Sequence, residues 1–187
     1  MAKFFGNLNA VMIVGLIAAL ALMFGMHGDM VTGNSIGRWL HLFFGVLWIG
    51  LLYYLNFVQV PLMPTIPDEL KPAVGQHIAP KVLFYFRWAA LLTVVTGLYV
   101  AWVSGWVHQA MTLQEPYAMI GAGMWIAIVM AGNVWFIIWP KQKKVLGIVE
   151  ATADEKAAAG KIALMASRTN VLLSLPMFYA MVNANAG

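Results

Sequence analysis

Five long apolar runs dominate the chain, at about 8–26, 36–60, 83–106, 117–139 and 163–183. Each is long enough, as a helix rising about 1.5 Å per residue, to cross a hydrocarbon layer of roughly 30 Å. Inside lipid the backbone must satisfy its own hydrogen bonds, which leaves helices or a closed barrel, and runs without strict alternation select helices. The composition agrees: 187 residues are 62% hydrophobic and only 10% charged, with a mean hydropathy of +0.80, outside the balance of a soluble domain. The expected fold is an all-α polytopic membrane helical bundle of about five transmembrane helices, one integral membrane domain over 1–187. No small-residue cleavage pattern ends the first run, so it is expected to stay as a span rather than leave as a signal peptide.

The net charge of +4 and pI near 9.4 do not imply nucleic acid, because the basic residues are strung between apolar runs and form no basic domain. They orient the chain instead. With a cytoplasmic N-terminus, one side receives Lys3, Lys71, Lys81, Arg87, Lys141, Lys143, Lys144, Lys156, Lys161 and Arg168, and only Arg38 falls outside. That asymmetry predicts an N-in, C-out topology, with 27–35 and 107–116 exterior, in a bacterial inner membrane. The chain has no cysteine, which excludes disulfides, thiolate zinc sites, iron–sulfur clusters and covalent c-type haem. Any metal must be held by His, Met, carboxylate or backbone.

The connectors differ in character. Prolines at 61, 64, 67, 72 and 80 predict an extended, stiff connector without regular helix between the second and third runs. After Trp139-Pro140 the chain becomes charged and alanine-rich, and Thr152-Ala-Asp-Glu155 has the form of a capping box. The last helix is therefore expected over about 154–183, starting in the cytoplasm.

The second run carries the most informative pattern. At 100° per residue, Arg38, His41, Gly45, Trp48, Leu52, Asn56 and Gln59 fall within an arc of roughly 80°, predicting one polar stripe turned toward protein. Gly45, one turn from His41, clears a hollow beside the imidazole. His41 either ligates a metal, with the iron of a b-type haem the leading choice, or hydrogen-bonds a neighbouring helix. Arg38 either pairs with a haem propionate or snorkels to headgroups. On the other runs Arg87, Asn133, Arg168 and Asn170 are candidate cofactor-binding residues. Interfacial anchoring competes for the two arginines, whereas buried amides must find partners. His27 and His108, in exterior turns, are candidates for a second axial ligand. Methionine is abundant but fills gaps in most cores. Gly121, Gly123 and Gly132 permit close helix contact, within a subunit or between subunits of a homo-oligomer or larger complex.

Four stretches taken in order, RWLHLFFGVLWIGLLYYLNFVQVPLMP, IAPKVLFYFRWAALLTVVTGL, GMWIAIVMAGNVWFIIWPKQKK and SRTNVLLSLPMFYAM, resemble the N-terminal membrane domain of bacterial membrane-bound urate oxidases (urate hydroxylases) across roughly 36–183. Long members of that family carry a C-terminal cytochrome c domain; no CxxCH motif occurs in these 187 residues. More distantly, His41 with Trp48, Gly50 and Tyr53, then Arg87 with Gly97, then Arg168, Asn170 and Pro176 are similar to the pattern of bacterial membrane protoporphyrinogen oxidases and copper-resistance D-type proteins. In the oxidases the histidine matching His41 is associated with b-type haem, which is what the resemblance implies here. Their lysine and second histidine on the helix corresponding to 117–139 are absent from this chain.

The reading that results is a membrane haem protein engaged in electron transfer or oxidation, with a quinone or a cytochrome as redox partner. Two alternatives stand beside it: a non-enzymatic accessory or scaffold subunit, and a copper-handling membrane protein using His41 and methionines.

Overall fold

A computed structural model describes residues 1–184. All regular structure among the described residues is helical, with no strand among them. They divide into two compact units, Met1–Ile36 and the remainder from Gly37. The first unit holds α1 (Leu8–Leu22), capped by the Asn7 side chain accepting from the Ala10 amide at 3.2 Å. This helix is apolar apart from Asn9 and has no buried residue.

The second unit is a bundle of α2 (Gly33–Tyr53, its first turn in the preceding unit), α3 (Ala79–Val103), the short α4 (Val107–Met111), α5 (Ala118–Gly132) and α6 (Ala153–Asn183). Its core is built on Trp48, Leu52, Phe86, Met130 and Val134, all buried. Gly121 lets α4 fold down onto α5: a Cβ there would overlap the Ala110 carbonyl oxygen. Gly123 faces Ala180 of α6 in the same way, at 3.0 Å from its Cβ. Both glycines therefore serve contacts within the chain, while a Cβ on Gly132 would meet only the Phe136 ring at 3.9 Å.

Among the described residues four helical stretches are long and apolar enough to cross a membrane: Leu8–Met30, Gly33–Thr65, Lys71–Val103 and Ala118–Val145. The last helix, α6, is not among them, since Arg168, Thr169, Asn170 and Ser174 dilute its apolar half. Its start follows the expected capping box: the Thr152 hydroxyl accepts from the Glu155 amide at 3.3 Å, and the Thr152 amide donates to the Glu155 carboxylate at 2.9 Å.

The proline-rich connector departs from expectation. Helical turns continue through Val60–Leu62 and Met63–Thr65 and resume at Lys71–Ala73, leaving little more than 66–70 outside regular helix. The reason lies in three widened, π-helical turns, Tyr54–Gln59, Val74–Ile78 and Asn133–Ile138. They immediately precede Pro61, Pro80 and Pro140. A proline inside a helix lacks the N–H for the carbonyl four residues back and its ring presses on that carbonyl. Widening the preceding turn to i→i+5 bonding moves that carbonyl away, so the helix continues.

Candidate functional site

Helices α2 and α3 meet through small residues one turn apart. A Cβ on Gly37 would stand 2.8 Å from the Tyr99 ring, and one on Gly97 would stand 2.8 Å from Cε1 of His41. The imidazole thus lies against the bare backbone of Gly97. Its Nδ1 is 2.8 Å from the Thr93 carbonyl oxygen. A carbonyl only accepts, so Nδ1 carries the proton and donates, and Nε2 keeps its lone pair in the neutral ring. Among the described residues Nε2 makes no hydrogen bond. An imidazole oriented by Nδ1–H on a backbone carbonyl with Nε2 left over is the arrangement metal-ligating histidines use.

His41 borders a small apolar pocket shared by α3, α5 and α6, lined further by Thr93, Val94, Gly97, Leu98, Met124, Ala127, Ile128 and Met181, with a cavity volume of about 20 Å³. Its residues include one oriented imidazole and two methionines among mainly apolar side chains. The cavity has room for about one water, so a macrocycle does not fit with the helices as packed, and a haem at His41 requires α3, α5 and α6 to move apart.

A second cluster lies further along the bundle. The Asn170 amide group donates to the Met130 carbonyl at 3.0 Å, and its oxygen accepts from Asn133 at 2.8 Å. Asn133 also donates to the Ala166 carbonyl at 2.8 Å, while Asn56 donates to the Leu52 carbonyl and the Ser167 hydroxyl at 2.8 and 2.7 Å. Tyr53 and Ser174 share a hydrogen bond at 2.8 Å. Both amide protons of Asn133 and both of Asn56 face acceptors, and Asn170 donates through its nitrogen and accepts through its oxygen, so the orientations of the three amides are fixed. The buried oxygens of Asn56, Asn133 and Gln59 accept from no described residue, and neither does the Trp48 indole N–H find an acceptor.

The expected stripe on α2 is largely inward-facing: Trp48, Leu52 and Asn56 are buried, and His41, Gly45 and Gln59 are half-buried. Arg38 is exposed. Arg87 is half-buried, its guanidinium carbon 3.9 Å from the centroid of the Trp139 ring and 5.2 Å from that of Phe84, while Trp135 donates to its carbonyl at 3.0 Å. It sits six residues before Thr93 on α3, roughly 9 Å along the axis from the level of His41. Arg168 is exposed on α6, on a different face from buried Asn170. His108 is exposed on α4 and does not line the His41 pocket; His27 is exposed in the first unit. Of the candidates, then, the fold joins His41 and Gly45 to α3, and Asn133 to Asn170, as two separate clusters.

Sequence reasoning did not single out Thr93, Ser167, Ser174, Met124 or Met181. A signal for the first existed: Gly37, His41 and Gly45 at four-residue spacing, matched by Thr93 and Gly97, mark two helix faces able to approach closely. Nothing in the sequence distinguishes Met124 and Met181 from the other methionines.

Comparison with known proteins bears on this architecture. No curated protein and no solved structure matches the chain. A family model described as urate oxidase N-terminal matches residues 89–186, from the middle of α3 through α6, including Asn133, Arg168 and Asn170 but not α2 with His41. The match covers just over half of the sequence, and the chain belongs to the urate oxidase N-terminal family.

Proposed function

We propose that this protein is a multi-pass redox module of a bacterial inner membrane in which His41 holds the iron of a b-type haem. Support comes first from the His41–Thr93 hydrogen bond, which fixes the tautomer and leaves Nε2 free beside an apolar pocket. A bound haem supplies one-electron exchange between ferric and ferrous iron. The chain's own part is to orient the imidazole through Thr93, to keep water out with Val94, Leu98 and Ile128, and to set the iron's potential by ligand and burial. Arg38, one turn from His41 toward the start of α2, is the cation available to a propionate.

In this reading α6 is the fifth span, entering from its charged first turns. The distribution of lysines and arginines supports a cytoplasmic N-terminus. A quinone within the bilayer or a cytochrome at its surface is the electron partner. The urate activity of full-length relatives is not carried over.

The deciding experiment is the visible spectrum of protein purified from cells supplied with haem, oxidised and reduced, beside His41→Ala. A sharp Soret band that disappears in the variant supports the reading. A colourless preparation overturns it and favours an accessory or scaffold subunit.

A further inference from the structure

We infer that Arg87 and Lys143 hold the phosphate of an anionic phospholipid at the charged end of the bundle, on a platform made by Trp135 and Trp139. The inference needs the chain to sit in a bilayer but is independent of any metal at His41.

Arg87 is held in place by the protein itself. The Trp135 indole N–H donates to its carbonyl at 3.0 Å, and the Trp139 ring centroid stands 3.9 Å from its guanidinium carbon. The two tryptophans are one turn apart on the continuation of α5, so they fix the main chain and the side chain of the same residue. Simple snorkelling of an arginine to the headgroups needs neither contact. Stacking on an indole leaves the edge of the guanidinium, where its N–H groups point, for an acceptor. Among the described residues that edge meets only the Leu83 carbonyl, from Nη1 at 3.4 Å, a long bond.

The charge also lacks a carboxylate. Ion pairs among the described residues join Lys71 to Asp68 and Lys144 to Glu155; neither involves Arg87 or Lys143. Lys143 lies four residues beyond Trp139 within the helical turns Trp139–Val145, hence on the same face, one turn further out. Both cations are half-buried. They stand together where the apolar run ending at Trp139 gives way to Lys141, Lys143 and Lys144, the change that marks the headgroup level of a membrane helix.

The chemistry selects the ligand. A guanidinium fork with an ammonium beside it suits phosphate oxygens. Next to Arg87 on α3, Phe84 and Trp88 are 46% and 40% exposed, which supplies apolar surface for acyl chains and not for a water-soluble anion. Basic pockets between membrane helices near the surface take anionic head groups in this way.

The test uses the full chain in neutral detergent, titrated with phosphatidylglycerol, phosphatidylcholine or inorganic phosphate and followed by native mass spectrometry. Phosphatidylglycerol is expected to bind at least about fivefold more tightly than phosphatidylcholine, the weight of one surface cation facing an anionic lipid. Arg87→Gln and Lys143→Gln should each lower that affinity about fivefold, with circular dichroism verifying folding. Lys156→Gln, which removes an exposed cation at the start of α6, should leave it unchanged. A second readout needs no variant: bound phosphatidylglycerol must shield Lys143, and not Lys156, from an amine-reactive label in the unmutated protein. Equal binding of the two lipids, a loss in Lys156→Gln as large as in Arg87→Gln, or labelling of Lys143 undisturbed by the lipid overturns the site. Inorganic phosphate that binds as tightly as phosphatidylglycerol overturns the lipid assignment and leaves a phosphate site.

Discussion

His41 and Thr93, fifty-two positions apart, are joined by a 2.8 Å hydrogen bond from an imidazole N–H to a main-chain carbonyl. The bond exists because Gly97, one turn beyond Thr93, has nothing to keep the ring away. Gly97→Ala is expected to expel the imidazole, since the added methyl would stand 2.8 Å from Cε1. We expect a loss of about 1–3 kcal/mol, the range for overpacking, together with loss of any His41-dependent metal signal. Gly45→Ala, whose Cβ meets only a Thr93 methyl at 3.7 Å, should stay within about 1 kcal/mol. Denaturant unfolding in detergent measures both; equal effects would contradict this account of the α2–α3 contact.

Gly121→Ala should be the most damaging glycine substitution in the bundle. The clash is with the Ala110 carbonyl, a backbone atom unable to rotate away. Limited proteolysis in the 104–117 region should become faster as α4 lifts from α5, and protection of that region unchanged from the parent would refute the prediction.

Asn133 and Asn170 act as a pair, so their substitutions should not add. Asn170→Leu strands one Asn133 amide proton and removes the bond to the Met130 carbonyl, at about 1–2 kcal/mol by analogy with interhelical bonds in membranes. Asn133→Leu should cost similarly, and the double variant less than the sum. A double-mutant cycle with zero coupling energy would show that the amides are independent.

The Glu155 carboxyl is held below its ordinary range, chiefly by the Thr152 backbone N–H and then by Lys144. Its folded-state affinity for protons is thus weaker than in the unfolded chain. The capping contribution is full above the unfolded carboxyl's titration and fades as pH falls through the folded one. Hydrogen-exchange protection of the first turn of α6 should fall on acidification, and Glu155→Gln, which cannot titrate, should remove that dependence. A protection profile independent of pH in both proteins would contradict it.

Much of the architecture was legible because lipid imposes one rule, internal satisfaction of the backbone, on every apolar run. The inward stripe of α2 followed from helical period alone, and Trp48, Leu52 and Asn56 lie where that period puts them. The capping box at Thr152 is a local motif and was read as such. The connector is not legible in this way, because proline in a sequence signals a helix stop, whereas Pro61 and Pro80 are accommodated by the widened turns before them. Such turns depend on neighbouring helices supplying partners, which no local pattern reveals. Arg168 was placed with Asn170 by proximity in sequence, yet two positions on a helix differ by about 200°, and the fold turns one outward and the other inward. Met124 and Met181 share a pocket only through the packing of α5 on α6, a long-range fact absent from either segment.

The three widened turns each hold one residue more than a regular turn would. Elsewhere in these helices a one-residue deletion swings all that follows by about 100°, carrying buried faces into the lipid. Within Tyr54–Gln59 or Asn133–Ile138 the same deletion can be absorbed by closing the turn, so these places are where the chain can change length without changing which way its side chains look.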